Sequence, residues 1–412
     1  MRGVFYKFSF VLLLFCFFFT LTIYGVKKEI KLQICYKDSI FNTTLRDIGF
    51  ELKLDSDLNL VFSLDKDLFD EKLTKNLFNK LINSKDAEIK ETEKGYIIID
   101  EIYGNEIKLE ELRVFLKSYL RKIFMENPKI SNIKVEIPDY CIVQPNIKKE
   151  DLVSLCDQYN KYFNKKVIYK FGSEEVIVSY SDIRNWISFN EDSNELVLDR
   201  NCVYDYVNNL KSTHDTAYVY RDFNSTLRGN VLIDYSTNTY GYLINVDAET
   251  EELYTAIESE EEIIEREPIY DQVGYHGRNY NDDLLGTYVE VDILDQMVYC
   301  YKDYNLIASD NCVTGNVANG TETDKGAFYI YDKQSPSTLR GYNSDGSLSY
   351  ANDVSFWMPF NGGEGLHDAN WRWEFGGEIY QWSGSHGCVN LPYYLAEVIY
   401  NNMDIGTPVI VF

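Results

Sequence analysis

A cysteine and two histidines crowd near the carboxy terminus. Cys388 stands in Ser385-His386-Gly387-Cys388-Val389-Asn390 and His367 in Gly365-Leu366-His367-Asp368-Ala369. The chain has four histidines, His214, His276, His367 and His386, so half of them fall in this stretch. Sulfur attacks a carbonyl as the thiolate, and a free thiol is mostly protonated at neutral pH unless a partner takes its proton. An imidazole does so when a third group fixes its tautomer. These residues therefore supply the parts for nucleophilic acyl transfer. Cys388 is the nucleophile and His367 its base, with Asp368 orienting the imidazole through its main-chain carbonyl or its carboxylate. Gly384 and Gly387 allow a turn that exposes Cys388, and the N–H groups of Gly387 and Cys388 face a developing oxyanion. Ser385 and His386 shape the loop and contact substrate. Arg372 and Asn390 either fix the cleft or hold a substrate carboxylate, a group that suits an arginine fork.

The elements that must position these residues are strands. Gly286–Ile293 alternates at period two, and Met297–Lys302, Asn305–Ala308 and Ala327–Tyr331 follow at close spacing with Gly-, Asn- and Asp-containing turns. The pattern predicts a β-sandwich with one helix near Leu395–Asn402 and a last strand at Pro408–Phe412.

Taken whole, His367, the 17 residues 368–384, and Ser385-His386-Gly387-Cys388-Val389-Asn390 resemble the signature of the L,D-transpeptidases, cell-wall cross-linking enzymes with a YkuD-type catalytic domain. The resemblance covers about residues 283–412. It implies a β-sandwich of mixed sheets, and a hairpin flap over the cleft for which residues 333–358 are the candidate, Tyr342 and Met358 among them. It implies no cofactor and no metal. It also implies the substrate, a peptidoglycan stem tetrapeptide that loses its terminal D-Ala to form a thioester on Cys388. The diamino residue of a neighbouring stem then accepts the acyl group, giving a 3→3 cross-link; water in its place makes the same site an L,D-carboxypeptidase. One departure stands out: the family's Thr-Pro-x-Gly is here Thr323-Asp324-Lys325-Gly326, and no effect on the chemistry is expected from it.

The remainder bounds the setting. At 412 residues and 45% hydrophobic, the chain is globular and long enough for several domains. A formal charge of −25 argues against nucleic acid and anionic lipid as partners. The apolar run from about Phe8 to Val26, flanked by Arg2, Lys7, Lys27 and Lys28, is just long enough to cross a bilayer and reads as an uncleaved anchor. The resemblance places the bulk of the chain outside the membrane, in the cell envelope. The expected architecture is multidomain: anchor or signal 1–28, α+β peptidoglycan-binding domains 29–140 and 141–270, linker 271–282, and an all-β, YkuD-like catalytic domain 283–412. A strand–helix echo supports the duplicated α+β unit, with Gly95–Asp100 before Glu110–Leu120 and Gly241–Asp247 before Glu249–Ile257. Ile147–Tyr162 reads as a helix and Lys166–Lys170 as a strand. The acidic run Glu258–Pro268 reads as a solvated boundary or linker, and His214 and His276 as ordinary surface or loop residues. Two rival classes remain: a catalytically silent wall-binding protein, and a zinc hydrolase using His367, His386 and Cys388, for which no further ligand with suitable spacing is evident. The six cysteines other than Cys16 and Cys388 leave disulfides and reduced thiols equally open. The sequence is silent on oligomeric state.

Overall fold

In the computed structural model the described residues are 29–412 without 55–59, 79, 128, 281 and 343–344; the side chains of 54, 60 and 342 are likewise not described. The apolar run read as an anchor lies outside them. Among the described residues no helix is long and apolar enough to cross a membrane. The chain divides into two compact units, Met1–Asp157 and Gln158–Phe412.

In the first unit Leu112, Leu116, Leu120 and Phe124 recur every four residues, so a helix gathers them on one stripe. Leu109–Glu126 is that helix, and all four are buried. They share a core with Leu32, Ile34, Ile133 and Val135. Those residues belong to a three-stranded sheet in which Lys31–Tyr36 pairs antiparallel with Ser39–Thr44 and parallel with Asn132–Glu136. Between the second and third strands come the hairpin Phe50–Leu54/Leu60–Leu64, the helix Lys66–Asn76 and the hairpin Glu88–Thr92/Gly95–Ile99. The Asp65 carboxylate caps the helix by accepting from Leu68 N–H at 3.1 Å, an interaction that typically contributes ~1 kcal/mol.

The second unit opens with the same order of elements. Lys166–Phe171 pairs antiparallel with Glu174–Val178 and parallel with Ile263–Arg266. Between them come the hairpin Ile187–Asn190/Glu195–Leu198, the helix Arg200–His214 capped by Asp199, the hairpin Arg221–Ser225/Gly229–Ile233 and the helix Val246–Glu258. The recurrence is thus of a whole hairpin–hairpin–helix–hairpin–helix–strand unit. The strand of the second echo shrinks to Leu243–Ile244. The run Glu258–Pro268 is largely exposed, as its charge suggests, but it is not a boundary or linker, because Ile263–Arg266 inside it is the returning strand. Arg266 ion-pairs with the fully buried Glu249, with 2.9 Å between Nη2 and Oε2. Nor is His214 a surface or loop residue: it ends the helix Arg200–His214, and its ring is buried against Phe171 with centroids 4.1 Å apart. His276 does lie in a loop, partly buried.

The rest of the second unit is a two-sheet sandwich. Its first sheet holds β1 (Tyr288–Asp292), β2 (Met297–Lys302), β3 (Asn305–Asn311), β4 (Gly326–Tyr329) and a last strand, Pro408–Val411, in the order β3-β2-β1-last-β4. The last strand pairs parallel with β1 and antiparallel with β4. Next come the hairpin β5 (Ser337–Tyr342) and β6 (Leu348–Val354), then the second sheet of β7 (Trp357–Asn361), β8 (Glu364–Asp368) and β9 (Val389–Leu391). A short helix α1 (Ile379–Ser383) precedes β9, and α2 (Tyr393–Asn402) follows it. Val289, Val291, Val298, Phe328, Met358, Leu366, Val389, Leu395 and Val411 fill the space between the layers, each fully buried large aliphatic side chain contributing ~2 kcal/mol by area. The other face of the first sheet is covered by Phe223, Ile233 and Tyr240, packed on Ala327, Ile410 and Phe412.

Candidate active site

β8 and β9 run parallel, with Leu366 opposite Val389, His367 opposite Asn390 and Asp368 opposite Leu391. Side chains alternate along a strand, and Leu366, Val389 and Leu391 are fully buried in the core. His367, Asn390 and Cys388, two residues before Asn390, therefore share the opposite face. There His367 and Cys388 are diagonal neighbours, a separation that longer side chains span.

The imidazole is held from several sides. His367 Nδ1–H donates to the main-chain carbonyl of Asp368 at 2.9 Å, which leaves Nε2 as the acceptor. In the amide orientation that satisfies both of its neighbours, Asn390 donates to His367 Nε2 at 3.0 Å and accepts from Arg372 Nε at 2.6 Å and Nη2 at 3.1 Å. The Trp357 and Trp371 rings lie 6.0 and 5.8 Å from the imidazole. The carboxylate of Asp368 turns elsewhere: it accepts from Ser355 and Phe356 N–H at 2.8 and 2.9 Å and from Asn370 Nδ2 at 2.8 Å. Of the two ways in which Asp368 was read to orient the base, the carbonyl is the one in place.

Cys388 donates to Gly363 O at 3.6 Å and makes no hydrogen bond to His367. Burial pushes its thiol up to about 11; the Gly365 N–H works against this and the Glu364 carboxylate adds to it. Burial also lowers the pKa of His367, with the Asp368 carbonyl opposing. Both shifts favour the neutral forms, so the resting pair is thiol and imidazole, not the preformed thiolate that the residue types suggest. Proton transfer then belongs to the attack itself.

The loop carrying Cys388 is bound to the segment before β4. Asn316 N–H and Thr321 Oγ1 donate to Ser385 O at 3.0 and 2.9 Å, and Thr323 Oγ1 to Gly387 O at 2.6 Å. Ser385 Oγ accepts from Gly387 N–H at 3.0 Å and donates to Cys388 O at 2.5 Å. The Gly387 N–H expected in the oxyanion hole is thus committed to Ser385, because the loop closes on that hydroxyl. Gly387 has φ +117°, a region that favours glycine. His386 stacks on Tyr350 of the β5–β6 hairpin, with centroids 4.9 Å apart. That hairpin fills the span expected of the flap, but Met358 lies outside it, fully buried in the core on β7. Its alternating position on β7 points its side chain into the core between the sheets. The Tyr342 side chain lies outside the described residues.

Sequence reading missed Tyr350, Trp357, Trp371 and Glu364. A signal existed for the last: a carboxylate interrupts the turn Gly362-Gly363-Glu364-Gly365 just before the histidine. Among the described residues no three His, Cys, Asp or Glu side chains gather as a metal-binding group. The cysteines other than Cys16 are all free, and Cys35, Cys141, Cys156, Cys300 and Cys312 are buried.

A family model described as the L,D-transpeptidase catalytic domain, YkuD, matches residues 286–411. The solved structure of the Ldtfm–avibactam carbamoyl enzyme is similar at 33% identity and a TM-score of 0.55, over 63% of this chain and 98% of that one. A cysteine-to-serine mutant of the Enterococcus faecium L,D-transpeptidase is similar at 33% identity and a TM-score of 0.54, over 64% of this chain and 100% of that one. No curated protein matches. With the sandwich, the paired strands and a likeness that runs the length of those two structures, the chain belongs to the L,D-transpeptidase family.

Proposed function

We propose that the chain joins peptidoglycan stem peptides by 3→3 cross-links through a thioester on Cys388. Sγ attacks the carbonyl that precedes the terminal D-Ala of a donor tetrapeptide, and its proton passes to His367 Nε2, whose lone pair the Asn390 amide releases as the thiol approaches. The tetrahedral intermediate collapses as the amine of D-Ala leaves with that proton. The side-chain amine of the acceptor stem then attacks the thioester, gives up a proton through His367, and restores the thiol. The observation that supports this reading best is the strand register, which puts Cys388 and His367 on one face while the Asp368 carbonyl fixes the tautomer that leaves Nε2 basic.

Mass analysis after incubation with a stem tetrapeptide or a carbapenem tests it. The expected result is an acyl adduct that maps to Cys388, with cross-linked dimer in the products. Turnover retained in Cys388→Ala would end the proposal. In the same reading residues 1–28 anchor the chain in the membrane with its bulk outside, and the α+β units that precede the catalytic sandwich hold the wall polymer. Recovery of the chain in a soluble fraction, or failure of the inactive Cys388→Ala protein to sediment with purified sacculi, would count against those placements.

A further inference from the structure

Glu364 begins β8, and its carboxylate lies beside the nucleophile loop. A Cβ built on Gly387 would stand 2.8 Å from Glu364 Oε1, so nothing separates that oxygen from the residue preceding Cys388. The Asp324 N–H donates to both Glu364 oxygens, at 3.2 and 3.4 Å. Asn361 Nδ2 donates to Glu364 Oε2 at 3.1 Å and also to Asp324 Oδ2 at 2.9 Å, so one amide bridges two carboxylates. The groups facing Glu364 are thus Asp324 from the turn before β4, the neutral Asn361 at the end of β7, and the Gly387–Cys388 loop. Among the described residues no cation pairs with it.

We infer that Glu364 is a positioning residue whose charge state sets the reactivity of Cys388, the anionic form holding the thiol back and the neutral form releasing it; this rests on the reading of Cys388 as the nucleophile. Attack places negative charge first on Sγ and then on the carbonyl oxygen. A second negative charge packed against the same loop, with no cation to cancel it, opposes both steps. Burial, followed by the nearby Asp324 charge, raises the Glu364 carboxyl to about 7 against the hydrogen bonds from Asn361 and Asp324, so both forms are present near neutrality. Glutamine is the informative replacement. Its single oxygen at the Oε2 position still accepts from Asn361 and from the Asp324 N–H, while the group facing Gly387 loses its charge.

The experiment follows alkylation of Cys388 by iodoacetamide in the full chain across the neutral and alkaline range, read by mass spectrometry of the Cys388 peptide. In Glu364→Gln the rate above neutrality rises about tenfold, the effect of roughly one unit in the thiol pKa, and the inflection near neutrality disappears. In Asp324→Asn, which keeps the N–H and removes a like charge, that inflection moves to lower pH. A Glu364→Gln profile that superimposes on the parent overturns the inference, because a purely structural glutamate would leave the profile unchanged. Should that variant not fold, an unmoved inflection in Asp324→Asn overturns it instead. Turnover of the stem tetrapeptide by Cys388→Ala is measured alongside, so a failure of the nucleophile reading shows there and not in the alkylation profile.

Discussion

Arg372 reaches His367 through one amide: Asn390 accepts from the guanidinium at 2.6 and 3.1 Å and donates to imidazole Nε2 at 3.0 Å. The guanidinium therefore orients a hydrogen bond to the base. Replacing Asn390 by Ala removes that bond and frees the ring to tilt, and small misplacements cost up to ~100-fold in rate. Steady-state turnover should fall by that order while Cys388 remains open to alkylation. Unchanged turnover would show that the Asp368 carbonyl alone holds the ring.

Asp368→Asn separates the two roles of that residue. The carbonyl that accepts from His367 Nδ1 is retained, while the buried carboxylate that takes two N–H groups is not. With the amide oxygen at the Oδ1 position both N–H donors keep a partner without charge assistance, while Asn370 Nδ2 loses its acceptor at Oδ2, at ~1–3 kcal/mol of stability. Chemical denaturation should register that loss, with activity per folded molecule close to the parent's.

Stability should depend on pH through Glu364. Its carboxyl is raised in the fold, so the folded state holds a proton that the unfolded chain has released. The sign follows: this contribution is complete below the ordinary glutamate range and is lost as pH rises through about 7. Thermal melts of the parent should therefore weaken over that window relative to Glu364→Gln. Parallel curves for the two proteins would refute the assignment.

The acid side of the activity profile should report His367. Burial lowers its pKa, so the ring stays neutral, and able to accept the thiol proton, to a pH below the ordinary ~6.5 of histidine. The acid limb of kcat/KM should lie below that value; a limb above it would mean that the imidazole is stabilised as the cation.

Much of the catalytic sandwich was legible because alternation and turns are local signals. Tyr288–Asp292, Met297–Lys302 and the helix over Leu395–Asn402 follow from period alone. His367 and Cys388 were legible as residue types at a spacing. Their protonation was not, since it depends on desolvation by Trp357, Trp371 and the packed loop, which no local pattern encodes. The acidic run around Ile263 is exposed as its charge suggests, but it is a strand and not a linker, because its parallel partner Lys166–Phe171 and the Glu249 that pairs with Arg266 lie outside it in sequence. Asp324 is the sharpest case. Read as a harmless departure from proline, it supplies to Glu364 an N–H that proline lacks.

Arg228 ion-pairs across residue 286 with the buried Asp292, with 2.7 Å between Nε and Oδ2 and the aspartate side chain 1% exposed. Leaving one such charge alone costs ~3–5 kcal/mol. The edge of the catalytic-domain match at residue 286 is therefore not an edge of cooperativity. A fragment cut there would shed the strands that carry Phe223 and Ile233, leave Ala327, Ile410 and Phe412 bare to water, and invite self-association through that surface. Limited proteolysis of the intact chain should accordingly leave the Arg221–Ile233 hairpin attached to the carboxy-terminal product.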